Sequence, residues 1–173
     1  MKKVLSVVLW ILGSLAVIHE TNDYTQIEEN ILAITQSTLA HLKHEEGVRN
    51  KAYKDTKGLW TIGVGHLIKH NETHLINKTL TDEEVDELLR SDLRWCSEAV
   101  EGAIRVPLSQ EQFDALYSLC FNIGETNFKR STVVRRLNEG DYHGAADAIL
   151  MWNKPPELMK RRHRERDLFL VGL

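Results

Sequence analysis

In the segment Glu46-Gly47-Val48-Arg49-Asn50-Lys51-Ala52-Tyr53-Lys54-Asp55-Thr56-Lys57-Gly58-Leu59-Trp60-Thr61-Ile62-Gly63-Val64-Gly65-His66 a helix ends and a small sheet begins. Asp55-Thr56-Lys57-Gly58 carries hairpin-turn chemistry. It predicts strands over 51–54 and 59–63, with a third short run at 66–68. Upstream, Ser37 is expected to N-cap a helix through Glu45 or Glu46, with Gly47 just past its end.

Downstream the pattern turns helical. A polar loop is predicted over 69–80. Thr81-Asp82-Glu83-Glu84 reads as a capping box opening a long helix with an apolar stripe at Val85, Leu88, Leu89, Cys96 and Val100. Ser109-Gln110-Glu111-Gln112 opens a second, stopped by Gly124. Further helices are predicted over 132–138, 142–152 and 158–170, with Pro155-Pro156 punctuating the last gap. The expected fold is α+β and mainly helical: a small β-hairpin lobe joined by a long helix to a helical C-terminal lobe.

The 173-residue chain has 42% hydrophobic and 27% charged residues, which excludes a disordered or fibrous protein. Its net charge of −3 excludes a strongly basic nucleic-acid binder. That figure averages unlike parts: without the two lysines of residues 1–18 the remainder carries −5. The basic run from Lys160 to Arg166 has no companion patch or aromatic platform, so nucleic acid is not expected as a partner.

Met1-Lys2-Lys3 precedes an uncharged apolar run from Val4 to Ile18. As a helix this run spans roughly 22 Å, short of the roughly 30 Å hydrocarbon core. Three readings stand: a signal-anchor in the bacterial inner membrane, a cleaved signal peptide, or a buried helix. The first two send the rest of the chain outward to the periplasm, the signal-anchor tethering it first to the inner membrane. The expected organisation is an N-terminal address over 1–18, a tether over 19–36 and a catalytic domain over 37–173.

Glu46 follows Leu39 by seven residues and Leu42 by four, within roughly 40° of both on the apolar face. Glu45 is expected to point toward water. An apolar surface and the negative end of a helix dipole both disfavour a carboxylate, as general-acid work requires. The plainer alternative is a solvated glutamate at a helix end. Asp55 at the turn should stay ionised, and Thr61 shares its face if the register is even. One neutral and one ionised carboxyl across a cleft is the arrangement of glycoside hydrolysis. A turn aspartate capping its own backbone and a β-branched strand residue explain Asp55 and Thr61 equally well on spacing alone.

The segment quoted first resembles the phage-type lysozymes (endolysins) of glycoside hydrolase family 24, with Glu46, Asp55 and Thr61 at the family's intervals. The likeness continues through Val106-Pro107-Leu108-Ser109-Gln110-Glu111-Gln112-Phe113, Phe121-Asn122-Ile123-Gly124, Trp152 and Arg161-Arg162, covering roughly 37–170. The resemblance implies a lysozyme-like fold and hydrolysis of the β-1,4 bond after N-acetylmuramic acid in peptidoglycan. Glu46 would protonate the leaving oxygen, and Asp55 and Thr61 would hold and activate water. It implies no metal or cofactor, peptidoglycan strands as partner, and a monomer. The other classes weighed are a weakly active, membrane-anchored wall-binding module and a lytic transglycosylase. One departure is the short, proline-stiffened Asn153-Lys154-Pro155-Pro156-Glu157, where many relatives carry a glycine-rich loop.

Four further residues complete the expected site. Asn122 is a sugar-contact candidate through the resemblance. His66 is expected to be structural, paired with Asp92 or Asp86. Arg162 and Glu165 share a helix face with Leu158 and Phe169 and are expected to pair inside the fold. Cys96 and Cys120 are expected as reduced core thiols, with a bridge as the alternative.

Overall fold

The computed structural model describes residues 34–173. The expected address over 1–18 and nearly all of the tether therefore lie outside the described residues. The tether's last three residues, 34–36, do not: helix α1 runs Gln36–Glu46, so Gln36 is already helical. Its N-cap is Thr35 rather than Ser37. Thr35 and Thr38 exchange side-chain-to-backbone hydrogen bonds, satisfying two donors that a helix start leaves open. Ser37 has another task, donating to Asp114 Oδ2 at 2.6 Å.

Strands β1 (Arg49–Lys54), β2 (Trp60–Gly63) and β3 (His66–Leu67) form an antiparallel sheet in the order β1-β2-β3. Tyr53 lies opposite Thr61 and Lys54 opposite Trp60, with an irregularity between Arg49 and Tyr53. The turn closes through Asp55 N–H to Leu59 O and Gly58 N–H to Asp55 O, each 2.9 Å. Gly58 makes that possible with φ of +79°. The predicted polar loop is in fact a 3-10 helix over His70–Asn77, pinned by Lys69 N–H donating to Glu72 Oε2 and by buried Leu75.

Helix α2 (Asp82–Ala103) starts at the Thr81–Glu84 capping box and buries Val85, Leu89, Leu93, Cys96, Ala99 and Val100 in one stripe. It links the sheet to the helical lobe. Helix α3 (Gln110–Ile123) has an unbroken buried run from Asp114 to Cys120 and is the lobe's axis. A helix with no exposed face in its middle must be surrounded. Packed on it are α1, α2, α4 (Glu125–Lys129) and α7 (Met159–Val171), while α5 (Thr132–Asn138) packs on α6 (Tyr142–Ile149) and α6 on α7. The short α4 has no counterpart in the sequence reading. The helix expected to reach Trp152 stops at Ile149, and a 3-10 turn over Pro156–Leu158 leads into α7. The architecture is the mainly helical α+β fold with a small sheet that the sequence predicts. Among the described residues no helix is long and apolar enough to cross a membrane.

Candidate active site

Glu46 ends α1, and Gly47, at φ +77°, turns the chain into β1. The two glutamates at this helix end sit the other way round from the sequence reading. Glu45 is the enclosed one, its side chain 1% exposed, while that of Glu46 is 25% exposed. The reason lies on α7, which brings arginines against the end of α1. Arg164 donates from Nε and Nη2 to both Glu45 oxygens at 2.7 Å, a bidentate pair that makes enclosure tolerable. Burial alone would push the Glu45 carboxyl up. The Arg164 hydrogen bonds and charge, with Arg161 beside them, outweigh it and hold Glu45 below its ordinary value.

Glu46 has its own cation. Arg161 Nη1 donates to Glu46 Oε1 at 2.7 Å. The rest of that guanidinium is fixed as well: Nε donates to Glu165 Oε1 at 2.9 Å, and Nη2 reaches Ser118 O and Oγ at 3.1 Å. Arg161 is buried, and its cation faces Glu46 and Glu165 together. The apolar setting expected for Glu46 is thus replaced by a salt link to a buried arginine.

Asp55 is held by its own turn. Its Oδ1 accepts the N–H groups of Lys57 and Leu59, both at 2.8 Å. Its Oδ2 makes no hydrogen bond among the described residues, so the carboxylate is aimed by one oxygen and offers the other. Strand alternation from the Tyr53–Thr61 register places Asp55 and Thr61 on one face of the hairpin. Thr61 is buried and donates its hydroxyl to Leu59 O at 3.2 Å, which leaves its lone pairs as acceptors. A fixed carboxylate and an acceptor hydroxyl on one face of a hairpin can hold water, and a partly exposed carboxyl at the end of a helix can donate a proton in its neutral form.

The remaining candidates fall around these groups. His66 sits in β3 with Nδ1 2.9 Å from Asp92 and Nε2 3.2 Å from Glu72, tying the sheet to α2. Burial pushes the Asp92 carboxyl up, against the opposing pull of His66. Asp86, the other acid considered, pairs with Lys43. Arg162 and Glu165 are wholly buried. Arg162 Nε lies 2.9 Å from Glu165 Oε2 as an ion contact not aligned as a hydrogen bond, and Nη2 donates to Oε1 at 3.1 Å. The same Nη2 donates to Oδ1 of exposed Asn122 at 3.0 Å. Cys96 and Cys120 are free, buried thiols, and burial together with Cys120 alongside pushes the Cys96 thiol up. Among the described residues no cluster of three or more metal-ligating side chains occurs.

Arg161, Ser118, Arg164 and the inward Glu45 are the members that sequence reasoning missed. One signal was present: two adjacent acids at a helix end and two arginines spaced i, i+3 inside the basic run 160–166.

The phage lysozyme family model matches residues 43–165, which includes every residue of this site. The endolysin of Salmonella phage P22 is 48% identical over 145 residues, 81% of this chain and 99% of that one. A crystal structure of a P22 lysozyme mutant superposes with a TM-score of 0.74, covering 79% of this chain and 97% of that chain. The SAR-endolysin of Enterobacteria phage P21 is 37% identical over 73% of this chain and 78% of its own length. The muramidase domain of SpmX from Asticaccaulis excentricus, 39% identical, covers 79% of this chain and 97% of its own with a TM-score of 0.68. The chain belongs to the phage lysozyme family and is a glycoside hydrolase of the lysozyme type.

Proposed function

We propose that the chain cleaves the β-1,4 bond between N-acetylmuramic acid and N-acetylglucosamine in peptidoglycan, lysing the host bacterium. Glu46 gives its proton to the leaving glycosidic oxygen. Asp55 takes a proton from water held jointly with Thr61, and that water bonds to the anomeric carbon from the opposite face. This is the inverting course of a two-carboxylate glycosidase. Arg161 keeps the Glu46 carboxyl aimed, and Asn122 contacts the sugar through its free amide group. The observation that carries the reading is the pairing of unlike carboxyls. Asp55 is aimed by backbone amides with one oxygen open, and Glu46 stands partly exposed at a helix end with Arg161 bonded to one oxygen only.

Residues 1–18 act as the export address, holding the chain at the inner membrane through residues 4–18 before it works in the periplasm. The apolar run itself and the SAR-endolysin relatives support this. Reducing-sugar release from purified peptidoglycan tests the chemistry. Glu46→Gln is expected to abolish it with the fold intact, and full activity in that variant overturns the reading. Anhydro-muramic products would instead assign a transglycosylase. A reporter fused after residue 18 tests the address, and its retention in the cytosol would refute it.

A further inference from the structure

Glu165 is wholly buried, 119 positions along the chain from Glu46, and the reaction outlined above gives it no task. Its Oε1 accepts from three donors: Ser118 Oγ at 2.7 Å, Arg161 Nε at 2.9 Å and Arg162 Nη2 at 3.1 Å. Burying a carboxylate among three donors is costly unless each bond is well formed. Two of the donors are cations from consecutive positions of α7, which would repel each other without the acid between them.

The arrangement is directional. Arg161 is a planar fork with five N–H donors. Glu165 takes its Nε edge, Ser118 takes Nη2, and Nη1 is thereby presented to Glu46. Arg162, balanced by the same carboxylate, is kept off Glu46 and turned to Asn122. We propose that Glu165 is a positioning residue for the hydrolysis. It locks Arg161 in the orientation that aims Glu46 and offsets the charge of Arg162, so that the two cations do not act on Glu46 uncompensated. The proposal rests on Glu46 being the proton donor.

The charged and titratable groups around this centre come from three helices. Helix α1 supplies Glu46, Glu45 (Oε2 3.9 Å from Arg161 Nε) and half-buried His41, whose partial burial disfavours protonation. Helix α3 supplies Asp114, held by Ser37 and Thr38. Helix α7 supplies Arg161, Arg162 and Arg164. On the α6 side, Asp147 pairs with Arg166. Removing the Glu165 charge therefore leaves Arg161 and Arg162 without their shared counter-ion, with an excess of positive charge beside the site.

The test measures kcat, KM and the pH profile of peptidoglycan hydrolysis with the full chain, corrected for folded fraction. Glu165→Gln should lower kcat between about 10- and 100-fold with KM little changed. It should also move the basic limb of the profile to lower pH. In an Arg161→Gln background the same change should lower kcat far less, because the aiming of Glu46 runs through Arg161. Glu165→Asp, which keeps the charge but retracts it, should lose less kcat and leave the limb in place. It is the variant to read if Glu165→Gln does not fold. A variant at 165 that is less stable but has parental kcat and pH profile per folded molecule overturns the proposal. So does an undiminished effect in the Arg161→Gln background. An active Glu46→Gln overturns the functional reading and this inference together, whereas inactive Glu46→Gln with unaltered Glu165 variants overturns this inference alone.

Discussion

At the hairpin turn, the Asp55 carboxylate is fixed by amides no more than four residues away, whereas Glu46 at the end of α1 is fixed by Arg161, 115 residues further along the chain. The first arrangement forms whenever the turn forms. The second requires α3 and α7 to be packed correctly against α1, because Ser118 and Glu165 hold the arginine that holds Glu46. The two halves of the proposed reaction therefore differ in what they depend on. The proposed water-activating half is local and sturdy, and the proposed proton-donating half reports on the tertiary packing of the helical lobe.

The largest effects should separate chemistry from stability on the local side. Asp55→Asn keeps an oxygen for the Lys57 and Leu59 amides but removes the charge proposed to activate water. Activity should fall about 10²–10⁴-fold, while thermal melting stays within about 1 kcal/mol of the parent, as expected when the turn's hydrogen bonds persist. A marked loss of stability would break the account of Asp55 as fixed by one oxygen alone.

On the long-range side, the same class of change should cost stability as well. Arg161→Met removes the cation shared by Glu46 and buried Glu165. Urea unfolding should show a loss of about 3 kcal/mol, the low end for breaking a buried pair because Arg162 still faces Glu165. Activity per folded molecule should drop with it. Parental stability in this variant would erase the contrast between the two halves.

This contrast also explains what the sequence shows and what it hides. Asp55 and Gly58 are legible because turn chemistry lies within four residues, and the strands beside them follow from alternation. The helices opened by Thr81 and Ser109 are legible because a capping box is a local signal too. The burial of Glu45 is not legible. Helical geometry correctly places Leu39 and Leu42 inside, yet which of two neighbouring acids turns inward is decided by Arg164, on a helix far along the chain. The cap of α1 fails as a prediction for a related reason. Ser37 and Thr35 are both good cap residues, and Asp114 of α3 decides between them by taking the Ser37 hydroxyl. His66 combines both kinds of information. Its neighbour Glu72 is local, while Asp92 is brought to it by the packing of α2.

A smaller effect probes the local side without touching a functional group. Gly58 has φ of +79° with open space where a Cβ would lie, so Gly58→Ala meets no clash and costs only backbone strain. The expected loss is about 1–2 kcal/mol. Because Asp55 is aimed by this turn, activity should fall in step with the turn's loss of order. Unchanged stability would mean that the turn tolerates a left-handed alanine and is less constraining than its hydrogen bonds suggest.

The smallest effect uses pH to isolate one long-range pair. Glu45 is held below its ordinary value of 4.5, so the folded state prefers it ionised more strongly than the unfolded chain does. Its contribution is complete above about 4.5, shrinks as pH falls and the unfolded chain takes up its proton first, and is gone once the folded carboxyl is protonated too. Glu45→Gln should therefore cost roughly 1 kcal/mol at neutral pH, a modest figure because Arg164 is half-exposed and its charge is screened. The gap between parent and variant should close as pH falls below about 4.5. Taking the difference at each pH cancels the groups that titrate in both proteins and leaves the Glu45–Arg164 link. A gap that persists unchanged into acid would show that Glu45 is retained for packing rather than for its charge. The arginines of α7 would then grip the end of α1 through Glu46 alone.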